Sequence, residues 1–133
     1  MSMLFIKLPV RDLPAARAFY DALGFRIEEH SSDEETASVV VDDDIALVLH
    51  TRDRFADLVS GDVGDPSNAT TAVHCLTAGS RDEVDDLVAK AVDAGGRPGV
   101  PVREEEARYT GGFTDPDGHA WEVVWMDQLH VVD

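Results

Sequence analysis

The chain has one cysteine, two lysines and no long apolar run. A lone cysteine excludes an intrachain disulfide and a cysteine metal cluster. Cys75 sits between His74 and Leu76 in an apolar stretch, where a buried, inert thiol is expected. No segment approaches the roughly 18 apolar residues of a membrane span, so no membrane partner is expected. The opening Met1-Ser2-Met3-Leu4-Phe5-Ile6-Lys7-Leu8 lacks a basic region followed by a long apolar stretch, so it reads as a first strand and not a leader. A cytoplasmic location is the resulting expectation. Basic residues are also scarce: 11 stand against 27 acids, for a formal net charge of −16. Such a chain repels nucleic acid and anionic membranes, and a cationic ligand would be drawn to it. The acids are scattered apart from short clusters such as Asp42-Asp43-Asp44 and Glu104-Glu105-Glu106, which fits general solubility or adaptation to salt.

What the chain does have is apolar substance, 44% over 133 residues, enough for one domain with a real core. Leu4 to Leu8 suits a strand. Asp12 then offers an N-cap, Pro14 falls in the first turn, and Leu13, Ala16, Phe19, Tyr20 and Leu23 recur at helical spacing until Gly24 stops them. Phe25 to His30, Ala37 to Val41 and Ile45 to His50 read as three further strands, the last two joined by the Asp42-Asp43-Asp44 turn. A short helix is expected within residues 52–60. The turn-rich residues 61–68, Gly-Asp-Val-Gly-Asp-Pro-Ser-Asn, read as the linker.

The pattern then repeats. Thr71 to Thr77 reads as a strand. Ser80 and Glu83 form a capping box, and Val84, Leu87, Val88 and Ala91 make a helix face that ends at Gly95-Gly96. Val100 to Val102, Arg108 to Thr114 and His119 to Met126 read as strands, the last following the Asp115-Pro116-Asp117-Gly118 turn. The order is β-α-β-β-β twice, an internal duplication. The expected layout is one domain over 1–133: a first module over 1–60, a linker over 61–70, a second module over 71–127 and a tail over 128–133.

Leu8-Pro9-Val10-Arg11-Asp12-Leu13, Ala18-Phe19-Tyr20 and Leu23-Gly24-Phe25, with Asp115-Pro116-Asp117-Gly118-His119-Ala120-Trp121-Glu122 at the other end, resemble the vicinal-oxygen-chelate superfamily of glyoxalases, bleomycin-resistance proteins and extradiol dioxygenases. Ser80 to Leu87 and Trp121 to Asp127 look like a bacterial branch of predicted lactoylglutathione lyases. The resemblance implies an α+β fold in which two βαβββ modules pair into a curved mixed sheet with a concave cleft. It also implies a small-molecule ligand and, in many members, a divalent metal and a homodimer.

Carried over residue by residue, the family's four metal positions fall on Phe5 (through Leu8 and Asp12-Leu13), Leu49 (just before His50-Thr51), Val73 (through Leu76) and Glu122 (four residues after Gly118). Only Glu122 can donate to a metal, so the usual divalent metal is not expected. His50 and His74 each stand one residue from a lost position. They could join Glu122 at a metal only if both strands carried bulges. Without bulges His50 is expected at the surface and His74 partly buried and hydrogen-bonded.

Alternation puts Met3, Phe5 and Lys7 on one face of the first strand, the face turned to the cleft. It likewise puts Ala120, Glu122 and Val124 on one face of the last. With Leu49 and Val73 from the resemblance and the aromatics Tyr109 and Phe113, the expected ligand-contacting residues are Phe5, Lys7, Leu49, Val73, Tyr109 and Phe113, with Glu122 either a general base or a hydrogen-bonded structural group. Gly111-Gly112 permits a close backbone approach or a bulge. Two functions fit this set: a lyase or isomerase without the usual metal, and a non-catalytic protein that sequesters a drug or metabolite as the bleomycin-resistance proteins do.

Overall fold

A computed structural model describes residues 2–127. The expectations placed on the tail, including His130 and residues 129–132 as a dimer contact, lie outside the described residues. The chain divides into two compact units, Met1–Asp65 and Pro66–Asp133. No described helix is long and apolar enough to cross a membrane.

The first unit runs β1 (Leu4–Val10), α1 (Leu13–Ala22), β2 (Arg26–Glu28), β3 (Thr36–Asp42), β4 (Ile45–Thr51) and the short α2 (Arg52–Ala56). Its strands lie in the order β1-β4-β3-β2. β1 runs parallel to β4, and the other pairs are antiparallel. Asp12 caps α1 by accepting from the Ala15 amide at 3.1 Å. At the other end Gly24, at φ +99°, closes a Schellman turn. The Gly24 amide donates to the Asp21 carbonyl and the Phe25 amide to that of Tyr20, 3.0 and 3.3 Å. Between these caps Leu13, Ala16, Phe19 and Tyr20 are buried against Leu8, Val10, Ala37, Val39, Leu47 and Leu49. Burial of each large side chain in that set contributes about 1.5–3 kcal/mol. The second strand is shorter than its apolar pattern suggests, because Glu29–Ser31 turns into a 3-10 helix.

The second unit runs β5 (Val73–Thr77), α3 (Arg81–Asp93), β6 (Arg97–Pro98), β7 (Arg103–Glu105), β8 (Arg108–Thr114) and β9 (Ala120–Met126). Its order is β5-β9-β8-β6, with β7 also paired to β8. It repeats the first unit's plan, again with one parallel pair, β5 with β9. Ser80 caps α3 by accepting from the Glu83 amide at 3.1 Å, while the Glu83 carboxylate reaches back to the Gly79 amide at 2.7 Å. Gly95, at φ +110°, ends α3 in a second Schellman turn. The expected strand over Val100–Val102 is instead the gap between two fragments. β6 pairs with Thr114 and Phe113, β7 with Thr110 to Arg108, and the chain loops outward between them. Gly99 donates its amide to the Gly112 carbonyl at 3.0 Å as the loop leaves. In the closing turn Asp115, 2% exposed, accepts from the amides of Asp117, Gly118 and His119 through one oxygen.

Candidate functional site

Each sheet has one face covered by its helix and one turned away from it. Residues paired across strands share a face, so the register assigns every side chain. In the first unit the pairs Leu8↔Leu49 and Ala37↔Leu49 put Leu49 on the α1 side, where it has no exposure. The helix-distal face carries Phe5 and Lys7 from β1, Val48 and His50 from β4, and Thr36 and Ser38 from β3. Phe5 is 55% exposed there, beside the equally open Met3. The expectation that Leu49 lines the ligand face is therefore corrected. Ile45, Leu47 and Leu49 alternate as one apolar stripe toward α1, and His50 has the position assigned to Leu49. It holds it without a bulge, since β4 pairs continuously with both neighbours from Ala46 to His50.

His50 is also not at the surface. Only 3% of it is exposed, and Phe55 of α2 is a ring neighbour with centroids 6.3 Å apart. Its Nδ1 is 3.0 Å from the Thr36 hydroxyl. Its Nε2 is buried with no hydrogen-bond partner among the described residues. Burial above all, then the charges of Lys7 and Arg54, push the imidazole below the usual histidine range, while Asp33 pulls the other way.

In the second unit the register is Val73↔Ala120, His74↔Trp121 and Cys75↔Glu122. Val73, Cys75 and Glu122 therefore share the helix-distal face, and His74 lies on the α3 side against Trp121, ring centroids 5.0 Å apart. No bulge in β5 or β9 carries His74 across. Cys75 is exposed and not buried as its apolar neighbours suggested. Partial desolvation, then the Glu122 carboxylate, raise its thiol pKa, with Arg108 opposing. The thiol is thus held protonated and is a weak nucleophile. Glu122 is about one-third exposed, and one guanidinium nitrogen of Arg103 stands 3.7 Å from its Oε2.

Tyr109 and Phe113 are corrected as well. They pair with Trp125 and Trp121 on the face that α3 covers. Phe113 is 1% exposed and stacks on Trp121 at 6.1 Å and 6°. The Tyr109 hydroxyl donates to Asp85 of α3 at 2.8 Å. Both aromatics therefore hold α3 to its sheet. Gly111 sits between them with no side chain, and Val84 and Val88 of α3 approach to 3.0 and 3.1 Å of where its Cβ would be. A cavity of about 710 Å³ opens in the first unit along the outer side of α1. It is lined by Leu13, Arg17, Asp21, Arg26, Glu29 and Glu34 and includes none of the strand-face residues named above. The Arg17 guanidinium is held by Glu29 at 2.7 Å.

Sequence reasoning missed four contributors. Cys75 was legible from parity with Val73, two residues earlier. Thr36 and Phe55 required knowledge of which strand and helix lie beside β4. Arg103 had no signal, since its strand begins only after the outward loop.

The residues present do not fit a divalent metal of the family's kind. Phe5 and Val73 carry no donor atom and Glu122 is shared with a guanidinium, so of these positions only His50, through Nε2, has an uncommitted donor, too few for such an ion. Among the described residues no three His, Cys, Asp or Glu side chains are grouped to hold an ion.

Two βαβββ units with helix-distal strand faces define a class of fold, and comparison with known proteins agrees. The model of the Glyoxalase/Bleomycin resistance protein/Dioxygenase superfamily matches residues 2–123. The hypothetical protein SA1046 from S. aureus superposes with TM-score 0.80 at 26% identity, over 94% of this chain and 93% of that one. A glyoxalase-related enzyme from Fulvimarina pelagi gives TM-score 0.80 at 23% identity, over 94% and 88%. A glyoxalase/bleomycin resistance protein/dioxygenase family enzyme from Burkholderia phytofirmans PsJN gives 0.78 at 17% identity, over 95% and 99%. No curated protein matches. The chain belongs to the glyoxalase/bleomycin resistance protein/dioxygenase superfamily.

Proposed function

We propose that the protein binds a small, partly apolar organic molecule against the helix-distal faces of its strands and holds it without the family's metal. The observation that carries this reading is the side-chain set on those faces. Phe5, at 55% exposure, and Val73, at 52%, present apolar surface at strand positions where a soluble protein usually places polar groups. On the second sheet Glu122 supplies a carboxylate on the same face as Val73, with an Arg103 guanidinium nitrogen 3.7 Å away. An apolar lining with a few placed polar groups is the composition of small-ligand sites.

A sequestering role fits this chemistry better than turnover. Catalysis by acid and base needs two groups poised for opposite proton transfers, and Glu122 has beside it a guanidinium and a protonated thiol. A lyase or isomerase of the lactoylglutathione type remains the second reading, with Glu122 as base and Cys75, directly across from it, as the proton donor. Assembly as a homodimer belongs to the same proposal and is read by light scattering on the purified chain.

The test is a thermal-shift screen over apolar, anionic and cationic small molecules, followed by mass analysis of the recovered ligand. The expected result is a raised melting temperature with the ligand recovered unchanged, and a shift reduced in Phe5→Ser for a ligand on the first unit's face or in Glu122→Gln for one on the second's. Recovery of a converted ligand supports the enzyme instead. No shift from any compound overturns the binding proposal.

A further inference from the structure

His50 is a buried polar side chain that the fold leaves incomplete. It is 3% exposed, its Nδ1 is engaged by Thr36 at 3.0 Å, and its Nε2 meets no partner among the described residues. An unsatisfied buried nitrogen weakens a fold, and leucine would fill the same space without that cost. A buried group left in this state calls for an explanation, and a ligand that completes it is one.

Resting on the binding reading above, we propose that His50 Nε2 is a ligand contact and that, with Lys7, it takes an anionic oxygen, so that the ligand class is an apolar carboxylate. Three observations carry this. First, His50 and Lys7 share the helix-distal face on adjacent strands, through the register Lys7↔Val48 and Pro9↔His50. Second, the charged groups acting on the imidazole are Lys7 and Arg54 against the single carboxylate of Asp33. That local field is positive in a chain of formal charge −16, and a negative oxygen is the partner that balances it. Third, the Thr36 hydroxyl occupies Nδ1 and leaves Nε2 as the ring atom that faces the ligand; the proposal assigns the hydroxyl as donor to Nδ1, which puts the ring hydrogen on Nε2 for the ligand's oxygen to accept.

Access runs past Phe55. Its ring is tilted 52° to that of His50, and it rides on α2, a helix of five residues. Helices this short have little stability of their own. α2 is capped by Thr51, which accepts from the Arg54 amide at 3.3 Å, and is tethered by Arg52, which donates to the carbonyls of Val63 and Gly64 at 2.9 Å. In this proposal Phe55 moves aside with α2, and the ligand's carboxylate takes the place next to Nε2.

The experiment uses the full chain and three probes with one apolar body: 3-phenylpropionate, 3-phenylpropanol and 3-phenylpropylamine. Calorimetry measures affinity, and histidine ring ¹⁵N signals report the contact. The carboxylate is expected to bind at least ~10-fold more tightly than the alcohol and to move the His50 Nε2 signal. His50→Leu should abolish that preference without lowering the melting temperature, because it removes the unsatisfied nitrogen. His50→Gln, which keeps an N–H near the same place, should retain part of it. Lys7→Gln should reduce it several-fold, and Phe55→Ala should speed association. A preference for carboxylate that survives His50→Leu, equal affinity for all three probes, or preference for the amine each overturns this inference while leaving the binding reading intact. Binding of none of the three overturns this inference, while the binding reading is decided by the broader thermal-shift screen.

Discussion

The imidazole of His74 lies against the indole of Trp121 on the α3 side of the second sheet, ring centroids 5.0 Å apart and planes at 56°. Burial there, then the charge of His119, depress the His74 pKa below the ordinary 6.5, with Asp115 partly opposing. The unfolded chain titrates near the ordinary value, so between the lowered folded value and 6.5 it binds more protons than the folded chain does. Stability contributed by the neutral ring is therefore full above the unfolded value and declines as the pH falls toward the folded one. His50 acts in the same direction. The urea midpoint should drop between about pH 7.5 and 5.5, a window above ordinary carboxylate titration. His74→Phe keeps an aromatic ring on Trp121 and should flatten that drop. An unchanged pH dependence in the variant would refute the assignment.

The contact between α3 and β8 is tight at Gly111. An added Cβ would stand 3.0 Å from a methyl of Val84, which is fully buried, and 3.1 Å from one of Val88. Gly111→Ala should cost about 1–3 kcal/mol by overpacking. Val88→Ala should recover part of the loss, giving a non-additive double mutant. Gly99→Ala is expected to be worse. Its Cβ would meet the Gly112 carbonyl carbon and the Phe113 nitrogen at 2.8 Å, and backbone cannot rotate away as a valine can. Denaturant midpoints at fixed slope measure all three.

These positions also show what a sequence alone conveys. Both helices and their stops were legible, because Asp12, Ser80, Gly24 and Gly95 are local signals satisfied by hydrogen bonds within a few residues. The order of strands followed from periodicity and from resemblance. The faces were harder. A one-residue error in placing β4 exchanged Leu49 for His50, although the stripe Ile45, Leu47 and Leu49 already marked the helix side. Tyr109 and Phe113 were assigned to the ligand because they are aromatic, but their parity with Gly111 places them under α3. The outward loop between β6 and β7 had no signature, since it is fixed by the non-local fit of Gly99 against Gly112.

Tyr109 offers a direct check of that correction. Its hydroxyl donates to Asp85 at 2.8 Å, and this bond, followed by partial desolvation, raises the phenol pKa above its ordinary 10.0. Asp85→Asn should bring the alkaline absorbance transition of Tyr109 down toward that value. Tyr109→Phe should leave small-molecule binding unchanged and lower the melting temperature only slightly, as for a solvent-accessible hydrogen bond. Loss of ligand binding in Tyr109→Phe would return this residue to the site.

Glu122 decides the question of metal. A divalent ion needs several converging donors, and a carboxylate paired with a guanidinium gives up much of its attraction for a second cation. With Arg103 at 3.7 Å and with Phe5 and Val73 at two of the strand positions that bear ligands in metal-holding relatives, elemental analysis of protein purified without chelator should find no stoichiometric zinc, nickel or iron. Adding zinc should not raise the melting temperature, since an ion that binds only the folded state would do so by mass action. Arg103→Ala sharpens the test by freeing the carboxylate. If the donor set is the obstacle, this variant still takes up no metal. A stoichiometric ion in the wild type that disappears in Glu122→Ala would show that Glu122 serves as a ligand and would overturn the metal-free reading.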